Sequence, residues 1–333
     1  MSQVTLIGID VGAKEVVCAL RRESKTALLA TFANAPEGHD KLLHWAHKQG
    51  GRLRACLEAT GVYGLDLAVA LHRTPGVEVM VVNPRAIKDF ARANMVRAKT
   101  DQVDAQVILA FLERMPFQAW QPPRAIILEL RALARRIVQL KSELTRERNR
   151  LHSATYGAGQ PHGVVNDIDV NIRHLERRID ALEANGLKLI QSDAELTTHY
   201  AHLVSVKGIA TGSAIRLLGE LLVLPEGLKA PQWVAHAGLD PRPCESGTST
   251  HRPRRLSKAG NAQLRAALYM PALVAIQHEP QVKAFYDKLV VAGKTPLQAV
   301  VAVMRKLLHA IWGMLRHDQN FDGNRFYSSP SIT

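Results

Sequence analysis

The sequence predicts an α/β N-terminal region built on a mixed sheet, followed by a mainly helical remainder that opens with a two-helix arm. Three observations carry this expectation. Short β-branched runs alternate with amphipathic stretches through about the first 115 residues. From Arg124 to about Asn185, Leu and Ile recur at helical spacing between charged residues. Beyond Leu187 the helical pattern continues, punctuated by basic turns and one Pro- and Arg-rich loop.

Val4 to Asp10, Glu15 to Arg21 and Thr26 to Phe32 are predicted strands. The links between them are short and polar or contain glycine, so a three-strand meander is expected. A helix over His39 to Lys48 follows, then a strand at Arg54 to Glu58, a helix at Tyr63 to His72 and a strand at Val77 to Val82. Pro84 ends that strand and suits the first turn of a helix reaching about Ala93. A last helix runs from near Asp101 to Met115. A meander followed by helix, strand, helix, strand, helix is the order of the ribonuclease-H-like fold.

The apolar seam of the second region includes Leu130, Ile137, Leu144, Ile168, Leu175 and Leu182, interrupted at Tyr156 to Gly163. That pattern predicts an antiparallel helical hairpin or coiled-coil arm, with self-association or packing on the body both open. Leu203 to Leu221 reads as a helix-hairpin-helix-like element, with Ala210 where a second glycine is usual and Lys207 set to meet a backbone phosphate. A plain pair of antiparallel helices is the other reading of that segment. Two or three apolar helices reach about Leu315, and the polar tail after Asp318 is expected to fray. The division expected is residues 1–118, an arm at 119–195, a C-terminal domain at 196–318 and a tail at 319–333.

A net charge of +13 favours a polyanionic partner, because cations near phosphates release condensed counterions. Cys18, Cys56 and Cys244 form no CxxC pair, which argues against a zinc site or a disulfide framework and fits a reducing cytoplasm. The N-terminus lacks the pattern of a secretory leader. The apolar stretch from Leu297 to Leu315 carries Arg305, Lys306 and His309, so no membrane span is expected.

Four carboxylates stand out. Asp10 closes the first strand in LIGIDVG, with Gly8 and Gly12 read as leaving room for a ligand. Sugar kinases and actin-like ATPases share that opening. Glu58 ends the fourth strand, beside Asp10 in this fold, and two close carboxylates call for a divalent cation. Asp101 and Asp104 share one helix face at i, i+3, where Thr100 or Asp101 itself serves as cap. A DxxD pair at a helix start more often compensates the helix dipole than binds metal. Taken together, the four suit two magnesium ions for phosphodiester chemistry, with Arg97 and Lys99 on the scissile backbone.

The loop from Gly238 to Asn261 sets Ser246 among Arg242, Arg252, Arg254, Arg255 and Lys258. A serine there can attack phosphorus while the cations stabilise the developing charge, although polar-loop serines are commonly turn formers. GIDVG, LEATGVY, VVNP, KTDQVDA, KGIATGSA, GLDPRPCESGTS and RRLSKAGNAQLRAALYMPA occur in this order. With these motifs the chain resembles the insertion-sequence one-ten family of transposases, relatives of the pilin-gene invertases, from about Leu6 to Trp312. The resemblance implies a RuvC-like DEDD nuclease domain, a coiled-coil link and a transposase domain with a nucleophilic serine. It puts Asp10, Glu58, Asp101 and Asp104 on the acidic positions and Ser246 on the serine position. It further implies a phosphoserine intermediate, magnesium dependence and a bridge RNA pairing with donor and target DNA. Cys244 stands where the family pattern leads us to expect an aromatic residue.

Recombination needs more than one active site, so a dimer or tetramer is expected, with a site shared between protomers favoured. One rival is a RuvC-like junction resolvase or nuclease in which Ser246 is structural. A sugar-kinase-like ATPase needs a second phosphate loop and an adenosine-binding segment, neither of which the sequence contains. A catalytically dead nucleic-acid-binding protein would not need all five candidate residues.

Overall fold

The computed structural model describes residues 4–22, 26–58, 63–98, 100–156, 162–242, 245–246, 250–251 and 255–328, with backbone alone at 242, 245, 246, 250, 251 and 255. It contains two compact units, Met1–Pro122 and Pro123–Thr333.

The first unit runs β1 (Val4–Val11), β2 (Glu15–Arg22), β3 (Leu28–Ala33), α1 (Pro36–His47), β4 (Arg52–Glu58), α2 (Leu65–Arg73), β5 (Val77–Val82), α3 (Pro84–Ala93) and α4 (Asp101–Arg114). The sheet order is β3-β2-β1-β4-β5, antiparallel through the meander and parallel from β1 to β4 to β5. A mixed sheet is therefore present as expected. The third strand starts at Leu28 rather than Thr26, and its half-exposed alternation marks it as an edge.

Alternation along the strands sorts the two faces. Ile7, Ile9, Leu20, Leu53 and Leu57 face Leu42 of α1 and Leu67 and Leu71 of α2. On the other face Cys56, Met80 and Val82 meet Ile87 of α3 and Ile108 and Phe111 of α4, while Ala19 packs with Ala105 and Leu109. Cys18 and Cys56 are buried free thiols, and burial pushes both up, Cys56 to about 12 with help from the Glu58 charge.

The second unit continues with α5 (Ala125–Ala154), α6 (His162–Gln191), α7 (Ala194–Val204), α8 (Thr211–Leu221) and α9 (Ala230–Ala237). Four two-residue strands follow: β6 (Pro241–Arg242), β7 (Glu245–Ser246), β8 (Thr250–His251) and β9 (Arg255–Leu256). The chain then forms α10 (Ala262–His278), α11 (Pro280–Val291), α12 (Pro296–His317) and α13 (Gly323–Phe326). α5 and α6 are antiparallel, as the ion pairs Lys141–Glu183 at 2.6 Å and Arg148–Glu176 at 2.7 Å require. Near its start, α5 also lies on α8: a Cβ at Gly219 would stand 3.0 Å from the Arg131 Cα. The root of the hairpin is thus packed on its own unit.

The turn between α7 and α8 needs Gly208 twice over. Its φ is +111°, and a Cβ there would stand 2.7 Å from the Pro271 carbonyl oxygen of α10. The tail after Asp318 departs from the expected fraying. Phe326 is buried, stacking edge-on with Phe285 at 6.0 Å, and the Lys306 ammonium sits 4.3 Å from the Phe285 ring centre. Aromatic residues spaced through a polar stretch supply enough apolar area to dock it. Among the described residues, no helix is long and apolar enough to cross a membrane.

Candidate active site

The carboxylates are placed by strand register. Gly8 pairs with Cys56 and Ile9 with Leu57 in the parallel β1–β4 ladder, so Asp10 and Glu58 stand at the same level where the two strands end. Both share a face with Gly8 and Cys56, the face that α4 covers. Gly8 explains how closely α4 approaches: a Cβ would lie 2.3 Å from the Leu109 backbone N and 2.5 Å from the Ala105 carbonyl oxygen. The room that the sequence reading assigned to a ligand at Gly8 is filled by helix backbone. Gly12 likewise serves the β1–β2 turn, where a Cβ would meet the Glu15 carbonyl oxygen at 2.9 Å.

With α4 held there, its first turn brings Asp104 to the strand ends. Thr100 is the cap, its Oγ1 accepting from the Val103 N–H at 3.3 Å, which leaves Asp101 exposed in the first turn. Burial, then the charges of Asp10 and Asp104, push the Glu58 carboxyl up to about 6. Asp10 and Asp104 therefore both act on Glu58, and Asp101 is not among the charges raising it.

Among the described residues, no three His, Cys, Asp or Glu side chains are close enough to cage an ion as they stand. The donor set still fits a hard divalent cation. It is all carboxylate oxygen, and the repulsion that raises Glu58 is what a cation relieves.

The candidate cations are spread out. Arg97 is exposed between α3 and α4, Lys207 is exposed in the α7–α8 turn, and Lys258 is exposed with φ +49°. Lys99, Arg252 and Arg254 lie outside the described residues, as does Cys244. Arg242 and Arg255 pair across β6 and β9, and Ser246 of β7 pairs with Thr250 of β8. The Pro- and Arg-rich loop that bears the serine thus contains a short ladder, with β7–β8 nested between β6 and β9.

Its base is tightly tied. Asn261 N–H donates to the His236 carbonyl at 2.7 Å, Ser257 N–H to the Asp240 carbonyl at 2.9 Å, and Arg265 Nη1 to the Ala237 carbonyl at 2.8 Å. Gly260 allows this closure, since a Cβ there would meet the His236 oxygen at 2.2 Å. Beneath the ladder lies Glu220, 2% exposed, which sequence reasoning missed. It accepts from Arg135 Nε at 2.8 Å, Arg131 Nη2 at 3.4 Å and Asn261 Nδ2 at 2.6 Å. Burial alone would raise its carboxyl, but hydrogen bonds from Arg135 and Asn261, with the two arginine charges, hold it below the ordinary range. Asn261 Oδ1 in turn caps α10, accepting from Gln263 and Leu264 N–H at 2.9 and 3.2 Å. A single acid inside the apolar run LLGELL was the signal available in the sequence.

A mixed sheet with carboxylates at its strand ends, joined to a basic helical unit, is compatible with a class of enzymes that act on phosphate esters. A DEDD transposase profile of the IS110 type matches residues 7–156, and one for the IS116/IS110/IS902 transposase family matches residues 200–287. The chain is 31% identical to the pilin gene-inverting protein of Moraxella lacunata over 96% of this chain and 98% of that one. It is 30% identical to an uncharacterized 43.6 kDa IS110 protein of Streptomyces coelicolor over 47% of this chain and 34% of the relative. Among solved structures, T. thermophilus RuvC in complex with a Holliday junction substrate aligns at 16% identity with TM-score 0.26, covering 34% of this chain and 96% of that one. That structural likeness is too slight to argue from. The chain belongs to the IS110 family of transposases, enzymes of DNA recombination.

Proposed function

We propose that this transposase cuts and rejoins DNA through Ser246, with Asp10, Glu58, Asp101 and Asp104 as its magnesium-binding set. The observation that carries this reading is that Asp10 and Glu58 end neighbouring strands with Asp104 of α4 close enough for its charge to act on Glu58, in a chain of a transposase family. Two magnesium ions held there would supply positive charge to the oxygens of a scissile phosphate. In the chain's own chemistry, Ser246 Oγ loses its proton as it bonds to phosphorus, and the bond from phosphorus to the leaving deoxyribose oxygen breaks. An incoming strand's hydroxyl reverses the step and releases the serine. Arg242, Arg252, Arg254 and Arg255 offset the charge that develops on phosphorus, while Arg97, Lys99, Lys207 and Lys258 hold the flanking backbone.

The partners proposed are donor and target DNA, a bridge RNA from the element and further copies of the chain as a dimer or tetramer, in the cytoplasm. The working division is a RuvC-like catalytic domain at 1–118, a coiled-coil arm at 119–195, a serine domain at 196–318 with a helix-hairpin-helix-like turn, and a tail at 319–333. The test is a denaturing gel of protein with the element's terminal RNA, matched DNA and magnesium. A covalent protein–DNA band that disappears in Ser246→Ala, and in Asp10→Ala, is expected. Cleavage without an adduct that survives Ser246→Ala would replace this reading with a water-using nuclease.

A further inference from the structure

The end of α3 carries a residue that its conformation does not favour. Val96 N–H donates to the Ala91 carbonyl at 3.1 Å and Met95 N–H to that of Arg92 at 3.0 Å. This pattern of helix termination puts its turning residue in the left-handed region, where glycine is usual because an L side chain crowds the backbone. The residue there is Met95, with φ +56° and 84% of its surface exposed. A large apolar side chain is held in water on a strained backbone, two costs that the described packing does not repay.

The turn is nonetheless firmly built. Arg114 Nη1 donates to Asn94 Oδ1 at 2.6 Å, and Asn94 Nδ2 donates to the Phe90 carbonyl at 2.8 Å. Phe90 stacks edge-on against Phe111 at 5.3 Å. Arg114 and Phe111 belong to the C-terminal part of α4, so the turn is fixed to that helix roughly 10–15 Å along its axis from Asp104 in the first turn. Arg92 and Arg97, both exposed, flank Met95 in the chain, with exposed Lys88 two turns back on α3; Asp89 in that segment is paired to Arg85 and Arg92. An exposed apolar side chain flanked in the chain by cations matches a partner that offers both phosphates and flat apolar faces.

We propose that Met95 is a wedge that presses into a base step of the bound DNA and unstacks it some base pairs away from the carboxylate site, towards the C-terminal end of α4. Apolar side chains at the tips of basic segments open base steps in this way. The inference rests on the proposed placement of DNA at those carboxylates. It adds a residue that opens the duplex without touching the reacting phosphate.

The experiment uses the full chain and a series of synthetic four-way DNA junctions, with 2-aminopurine at successive positions beside the branch and no added metal. This base brightens when unstacked. The wild-type protein should brighten one position, and Met95→Leu should retain that signal. Met95→Asn and Met95→Gly should raise the Tm, because both tolerate the left-handed turn. They should bind within about twofold of wild type, since the cations remain, yet leave the probe as dim as in free DNA. Brightening unchanged in both variants would overturn the wedge and leave a strained surface methionine. So would wild-type binding with no bright position. Failure of the wild type to bind any junction would sink the DNA placement itself.

Discussion

The carboxylate cluster and the serine ladder are positioned by different physics. Asp10 and Glu58 follow from a period-two alternation and a parallel register, and Asp104 from a helix seated on Gly8. Each of those determinants is a run of several residues acting together. The ladder bearing Ser246 has two-residue strands, and its geometry comes from ties at its base: Asn261 to His236, Ser257 to Asp240 and, below, Glu220 to Arg131, Arg135 and Asn261. Many weak, repeated interactions hold the first site, and a few strong, long-range ones the second. The second should therefore be far more sensitive to a single substitution outside the active residues.

The largest effect expected is at Glu220. Glu220→Ala leaves Arg131 and Arg135, both part-exposed, and Asn261 without their shared acceptor and should cost about 2–3 kcal/mol, the scale for hydrogen bonds to a charged group. Urea denaturation measures it. A loss under 1 kcal/mol would mean that Arg131 and Arg135 reach solvent easily and that the ladder is held by its backbone bonds instead.

Gly8→Ala tests the other side of the comparison. Its Cβ would press on α4 backbone at 2.3 Å, and overpacking of this kind costs roughly 1–3 kcal/mol. Metal-dependent cleavage should fall further than stability does, because Asp101 and Asp104 move with α4. Equal losses would show that the first turn of α4 is placed independently of Gly8.

Thr100→Ala removes the cap of the same helix and should cost about 1 kcal/mol, with Thr100→Ser restoring it. If the alanine variant melts with the wild type, Asp101 has taken over the cap.

The smallest effect concerns His202. Burial pulls its imidazole down, but hydrogen bonds to Asp318 and Asn320 and the Asp318 charge outweigh this and raise it above 6.5. A raised folded value means the contribution is complete below the unfolded value and is lost as pH rises through the folded one. The Tm difference between wild type and His202→Gln should therefore shrink on going upward from about pH 6.5. A difference constant with pH would assign the tail's docking to Phe326 and Lys306 alone.

Much of the first unit was legible from the chain. Its strands and helices lie within a few residues of where β-branched runs, Pro84 and the Thr100 cap predict them, because alternation and capping act over single turns. The acidic positions were legible as residue types at element ends. Their mutual influence on Glu58 was not, since it depends on how far α4 sinks onto β1. Gly8 misled for the same reason: a glycine by an aspartate signals close approach, but not whether a ligand or a helix approaches.

The sequence by itself determined the order of elements, the sheet faces, the antiparallel arm and the cationic balance, all set by local periodicity and composition. Tertiary structure alone decided that Glu220 is a buried anchor, that the aromatic tail docks, and that Met95 bears a left-handed turn fixed to α4. Those outcomes rest on contacts between residues distant in the chain, which outweigh the local preference of a charge for water, of a polar tail for fraying or of a helix end for glycine.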